Sequence, residues 1–257
     1  MQEFVDMLGR KVLLQGVPGR IVSLVPSQTE LLADLGLDNE VVGITKFCVH
    51  PQSWFRTKER IGGTKQLNLE RIRLLKPDLI IANKEENEQE QVEVLAKEFP
   101  VWVSDISTVE AALEMIRLIG ALTDRTRPSL ELVQNIETGF ADLRKASRNF
   151  RVAYLIWYRP WMTVGHDTFI HDILQRLGMI NVFADRIRYP ETSAEELKAL
   201  SPDCILLSSE PFPFKENHAA ELRQQIPGAG IKLVDGEMFS WYGSRMLKAV
   251  SYLKSLL

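Results

Sequence analysis

Residues 70–82 read ERIRLLKPDLIIA, and residues 195–207 read EELKALSPDCILL. Each passes from an acidic residue through a short amphipathic stretch to a Pro-Asp step and then into an apolar run. A second pair of segments echoes in the same order, TELLADLG at residues 29–36 and HDILQRLG at residues 171–178. Each follows an apolar run, at residues 21–25 and 151–157. A supersecondary unit that occurs twice predicts two similar α/β lobes with a cleft between them.

Outward from the repeats, strand-like runs alternate with helical periodicity. Strands are expected at residues 21–25, 41–45, 79–82 and 101–103, with an edge strand at 12–14. The second half offers 152–157, 204–207 and 231–234, and a short apolar segment at 182–183. Ser27 with Glu30 three residues on is a capping-box pattern, predicting a helix to Leu35 that Gly36 stops. Further helices are expected over residues 69–75, 86–98, 109–122 behind Thr108, 168–177, 194–200, 218–225 and 244–257. Residues 46–65 read as a long irregular loop.

From Pro128 to about Lys145, the residues Leu130, Val133, Ile136, Phe140 and Leu143 recur at helical spacing. Such a helix spans roughly 27 Å at 1.5 Å per residue, enough to join two lobes. The expected architecture is α/β, with two Rossmann-like lobes on a long rigid helix. The N-terminal lobe covers residues 1–122, the connecting helix 123–148, and the C-terminal lobe 149–257.

The chain has 257 residues, of which 45% are hydrophobic, enough for a packed core. Its net charge of -3 comes from intermixed acidic and basic residues, without the basic stripe a nucleic-acid partner requires. The N-terminus, MQEFVDMLGRKVLLQG, lacks the apolar segment of a secretory signal. No run of 18 apolar residues occurs, so no membrane-spanning helix is expected. A cytoplasmic protein is expected if the sequence is complete, and an extracytoplasmic one if a signal has been removed. Of the two cysteines, Cys204 reads as a small hydrophobe in a buried strand, and a bridge to Cys48 would have to join the two lobes. Nucleophile-elbow, dinucleotide-binding and Walker A patterns are all lacking, so no catalytic residue is expected.

Candidate binding residues gather where strands end, as ligands do in open α/β sheets. In the first half these loops are 26–29, 47–51, 62–65 and 83–87, containing Pro26, Ser27, His50, Thr64 and Asn83. In the second half they are 157–161, 166, 188–189, 210–214 and 237–242, containing Trp157, Tyr158, Trp161, His166, Tyr189 and Trp241. Three of the five tryptophans fall in these loops, which suits a broad, partly apolar ligand. Alternatively the rings plug the junction between sheet and loops. Cys48-x-His50, completed by His166, is the germ of a metal site, although no compact ligand set accompanies it. His171 and His218 read as ordinary helix-face residues. Glu70 and Glu195 hold equivalent positions at two helix starts. They either complement the helix dipoles or offer one docking carboxylate per lobe.

The ordered motifs RIVSLVPSxTE (20–30), NLERI (68–72), KPDLIIA (76–82), GHDTFI (165–170), SPD (201–203) and WYGSR (241–245) resemble the periplasmic binding proteins of cobalamin and ferric-chelate importers. The resemblance covers most of the chain. It implies the class III, helical-backbone fold, and capture without chemistry of cobalamin or an iron chelate such as a siderophore or haem, with no intrinsic cofactor. It implies delivery to an ABC permease and its ATPase by a monomer whose Glu70 and Glu195 meet permease arginines. Where the family's cobalamin binders carry tryptophans on the first wall of the cleft, this chain has Thr64 and Asn83, and Tyr189 replaces another on the second wall. Two alternatives stay open: a metal-binding enzyme or metallochaperone using Cys48, His50 and His166, and a cytoplasmic ligand sensor.

Overall fold

The computed structural model describes residues 1–143 and 149–256. It divides into two compact units. The first comprises Met1–Ile106, Glu110–Asn135 and Tyr242–Arg245. The second comprises Ser107–Val109, Ile136–Trp241 and Met246–Leu257.

In the first unit, β1 (Gln2–Val5) pairs antiparallel with β2 (Lys11–Leu14), giving the expected edge strand a partner. There follow β3 (Ile21–Ser23), α1 (Pro26–Asp34), β4 (Val41–Ile44), α2 (Gln52–Thr57), β5 (Glu59–Arg60), α3 (Leu69–Leu75), β6 (Leu79–Asn83), α4 (Gln89–Ala96), β7 (Val101–Ser104) and α5 (Val109–Leu122). The five later strands form a parallel sheet in the order β5-β4-β3-β6-β7. Strand order reverses between β3 and β6, so the loops after these two strands flank a topological switch point. Val22, Leu24, Ile61, Ile72, Ile80, Leu95 and Val103 share its core.

Next comes α6 (Thr126–Ala141), whose residues divide between the two units. It ends before the expected Lys145, because Asp142 and Leu143 are already outside the helix. Lys145 and the last residues of the expected connector, 144–148, lie outside the described residues.

The second unit contains β8 (Arg151–Leu155), β9 (Trp161–Met162), α7 (Phe169–Arg176), β10 (Ile180–Asn181), β11 (Glu191–Thr192), α8 (Ala194–Leu200), β12 (Cys204–Ser208), α9 (Glu216–Gln225), β13 (Gly230–Val234), α10 (Glu237–Ser240) and α11 (Met246–Leu256). Its parallel sheet runs β10-β8-β12-β13, with the switch point between β8 and β12. Ala153, Leu155, Phe183, Leu197, Ile205, Leu207 and Leu222 form its core. The pairing strand is Ile180–Asn181 rather than the apolar segment after it. Val182 and Phe183 are nonetheless buried. Cys204 opens β12 half-buried rather than within the core, and both cysteines are free thiols.

The sequence repeat corresponds to a repeated set of hydrogen bonds. Asn68 and Ser193 cap the seven-residue helices α3 and α8, their side chains accepting from Arg71 N and Glu196 N. Lys76 (φ 48°) and Ser201 (φ 47°) end the two helices in the left-handed region. The Pro-Asp step then ties each helix to its central strand. Asp78 accepts from the backbone N–H groups of Gly19 (2.9 Å) and Arg20 (2.8 Å), and Asp203 from that of Arg151 (2.7 Å). In return, the guanidiniums of Arg20 and Arg151 donate to the carbonyls of Leu75 and Leu200, each at 2.8 Å.

The capping box expected at Ser27 is not formed. Val25 is the N-cap of α1, Pro26 the first helical residue, and Ser27 is buried one turn position further in. Proline suits that first position because it has no N–H to leave unpaired. Glu30 instead receives two hydrogen bonds from Arg245, at 2.7 and 2.9 Å, with both side chains about 5% exposed. Breaking such a buried pair from one side typically costs about 3–5 kcal/mol.

Candidate ligand-binding site

The carboxyl ends of the first sheet are stiffly built. Asn83, last residue of β6, donates through Nδ2 to Ser104 Oγ (3.0 Å) and accepts at Oδ1 from the N–H groups of Glu85 and Glu86, both 2.9 Å. Asn87 binds back to Asn83 N and donates to the carbonyls of Leu24 and Thr64. Asn83 and Asn87 thus knit three loops together, and the polar atoms of Asn83 are engaged within the unit. Thr64 is buried; Pro26 is partly so.

After β4, the turn 45–48 is fastened from inside by Cys48. Its thiol lies 3.1 Å from both Thr29 Oγ1 and Thr45 Oγ1, and its N–H donates to Thr45 O. Burial pushes the thiol pKa up, against the thiolate that metal ligation needs. Phe47 projects from the same turn and is 51% exposed. His50 follows, partly buried. Among the described residues, no group of three or more His, Cys, Asp or Glu is placed to hold a metal ion.

In the second unit the loops after β8 and β12 bring Trp157, Tyr158, Phe212 and Phe214 together with Trp161 of β9 and His218 of α9. Tyr158 sits edge-on to Trp161 (4.8 Å between ring centres) and His218 (4.8 Å). Trp161 stacks on Phe214 at 5.9 Å, and Trp157 meets Phe212 edge-on at 5.8 Å. Much of the aromatic surface expected for a ligand is therefore spent on neighbouring rings, while Trp157 remains 40% exposed. The Tyr158 hydroxyl donates to Glu221 at 2.8 Å, which pushes its pKa up and keeps the phenol protonated. His218 accepts from Lys215 N through Nδ1 and belongs to this cluster rather than to a plain helix face.

Trp241 is buried, and its indole N–H donates to Glu210 Oε1 at 2.9 Å, beside the Ser240 hydroxyl at 2.6 Å. Glu210 lines a cavity of about 560 Å³ with Ser209, Phe214, Leu233, Val234, Asp235 and Glu237. Burial, reinforced by the charges of Glu237 and Asp235, pushes the Glu210 carboxyl up despite those hydrogen bonds. His166 is exposed, with Nδ1 2.7 Å from Arg186 O. Tyr189 is partly buried under the Arg188 guanidinium at 5.5 Å. His171 is buried, its Nδ1 3.1 Å from Asn181 Nδ2, and burial lowers its pKa. Phe47, Glu210, Phe212 and Phe214 fall in the loops expected at strand ends, but no sequence signal separates them from their neighbours there.

Glu70 and Glu195 each occupy the second position of their helix and are exposed. Glu70 pairs with Arg73, which also binds Glu98. The neighbouring Glu196 is turned inward onto Arg186 and Thr192, so of the two adjacent glutamates it is Glu195 that faces solvent. Hydrogen bonds from its own backbone N–H and from Ser193 hold the Glu195 carboxyl below the ordinary range, so it is charged at neutral pH.

Two parallel α/β units, with a long helix whose residues divide between them, define the helical-backbone class of binding protein. A family model described as periplasmic binding protein matches residues 21–228, and the chain belongs to that family. The vitamin B12-binding protein of Salmonella typhimurium is 30% identical over 210 residues, covering 79% of this chain and 76% of its own. A solved structure of a possible iron-binding, periplasmic solute-binding protein from Staphylococcus epidermidis is 25% identical, with a TM-score of 0.79 over 93% of this chain and 98% of that one. The periplasmic haem-binding protein of a Roseiflexus species shares the fold, with a TM-score of 0.78 at 22% identity over 92% and 96% of the two chains. No helix among the described residues is long and apolar enough to cross a membrane.

Proposed function

We propose that this protein is the substrate-binding component of an ABC-type importer. It captures a metal chelate of the cobalamin, haem or ferric-siderophore kind outside the cytoplasm and passes it on chemically unchanged. The receiving partner is a permease, engaged through Glu70 and Glu195. Family membership supports the transport role, and the relatives named for vitamin B12, iron and haem support the ligand class.

The observation that carries the reading is the matched pair of exposed carboxylates, one at the second position of each repeated helix. Their surroundings repeat down to the strand-tying aspartates, so the two charges are presented by the same rigid device. Two fixed rim charges favour orientation and rapid association over raw affinity, as a shuttle requires.

The test is a titration of purified protein with cyanocobalamin, ferric siderophores and haem, followed by tryptophan fluorescence. At least one is expected to bind more tightly than about 10 µM, roughly 7 kcal/mol. Weaker binding by all of them would refute the assignment.

A further inference from the structure

We infer that His171 is an acid-sensitive latch within the second unit, fastening α7 and the loop of residues 164–167 to β10 only while its imidazole is neutral. The latch closes on Asn181, the last residue of β10. Asn181 Nδ2 donates to Val164 O at 2.8 Å, and Asn181 Oδ1 accepts from Phe183 N at 3.1 Å. A carbonyl can only accept and a backbone N–H can only donate, so these two contacts fix which way the amide points. Its nitrogen is therefore also the atom 3.1 Å from His171 Nδ1, and that ring nitrogen must accept. His171 is held as the neutral tautomer that carries its proton on Nε2.

Protonation removes the acceptor. Both ring nitrogens of an imidazolium donate, so an Nδ1–H would face the amide N–H groups of Asn181. Turning the amide over does not repair the contact, because it sets Oδ1 against Val164 O and Nδ2 against Phe183 N–H. Both side chains are buried, which keeps water from replacing the lost partner. Burial lowers the His171 pKa, and the charge of His166 adds to the effect. His166 itself is built the opposite way: its Nδ1 lies 2.7 Å from Arg186 O, so it carries the proton there and keeps that bond in either charge state. The carboxylates near the latch are engaged elsewhere. Asp172 accepts from Arg176 Nε (2.7 Å) and Val109 N (2.8 Å), and Asp167 accepts from Arg188 N. Their charges favour the imidazolium, but desolvation outweighs them. Strand β10 carries no titratable group, and α10, which packs on α7, carries only Glu237, which lines the cavity of Glu210.

The latch holds more than its own two residues. After Val164, the N–H groups of Gly165 and His166 donate to Arg188 O (2.7 Å) and Arg186 O (2.9 Å). The two segments approach so closely that a Cβ on Gly165 would fall 2.5 Å from Arg186 O. Acid therefore loosens the backbone ladder that carries His166 and leads directly into Tyr189, two of the candidate binding residues. A histidine whose folded pKa lies below its ordinary 6.5 contributes stability that is complete above 6.5 and is lost as pH falls through the folded value.

Imidazole nitrogen NMR of the full chain at about pH 7.5 is expected to show His171 protonated on Nε2 alone. As the pH is lowered to about 5.5, amide hydrogen exchange across residues 164–189, corrected for its intrinsic pH dependence, is expected to rise about threefold or more. His171→Asn keeps an acceptor near the Nδ1 position and does not titrate, so its exchange in the same segment is expected to stay level. A proton on His171 Nδ1 at neutral pH, or equal acid loosening in the wild type and His171→Asn, overturns the latch. If the variant does not fold, the wild-type titration decides. A His171 midpoint at or above 6.5 overturns the inference, and a lower midpoint that coincides with the rise in exchange supports it.

Discussion

Glu210 is the residue whose protonation the fold most visibly perturbs. Its carboxyl is buried between the Trp241 indole and the Ser240 hydroxyl, with Asp235 and Glu237 nearby, and its pKa lies above the ordinary 4.5. A carboxyl raised in this way binds its proton more tightly folded than unfolded. Its contribution to stability is complete below the ordinary value and is lost as pH rises through the folded value. Glu210→Gln keeps an oxygen to accept from Ser240 and Trp241 but cannot ionise. The thermal midpoint of the wild type is therefore expected to fall, relative to that of the variant, as pH rises above 4.5. Parallel pH profiles for the two proteins would discount it. Nothing in the sequence marks Glu210, because its perturbation comes from residues more than 20 positions away. Trp157 and Tyr158 stand out by type alone. The pattern at Ser27 and Glu30 misleads for a related reason: S-x-x-E is a local signature, whereas Glu30 is claimed by Arg245, 215 positions away.

Among the elements, α3, α5 and α8 have the limits their sequences predict, and the ends of α3 and α8 are chemically marked by caps, left-handed terminators and Pro-Asp steps. The short pieces β1, α2, β5, β9, β11 and α10 are not legible in this way. Helix α2 has no side-chain cap, and its Trp54 is held by an indole hydrogen bond to Asp38 at 2.7 Å, a tertiary contact without a local signal. The repeated strand ties also differ in strength. Asp78 accepts from two backbone N–H groups and Asp203 from one. Asp78→Ala is expected to cost about 1–3 kcal/mol and Asp203→Ala about half as much, by urea unfolding at unchanged m-value. Equal losses would mean that water replaces the aspartate at Gly19 or Arg20.

At the scale of the whole molecule, the two-unit α/β architecture is readable from the duplication, since a repeat constrains topology more than any single segment does. Ligand identity is less readable, because the candidate binding residues fall in loops where the two halves differ. The docking role proposed for Glu70 and Glu195 belongs to this scale, as it invokes both residues. The double Ala variant is expected to bind the chelate with wild-type affinity, and to lose at least about tenfold in permease association at low salt, with less difference at high salt. Unchanged transport by the double variant would remove the docking role.

The chain reaches Arg245 only after most of the second unit has been laid down, yet Tyr242–Arg245 belong to the first. A ribosome adding about 5–20 residues per second therefore leaves the Glu30 carboxylate without its guanidinium for several seconds after the rest of the first unit has been synthesised. The first unit therefore stays incomplete until nearly the whole chain has been made, and a gene cut after α6 would encode a buried acid with no base to meet it.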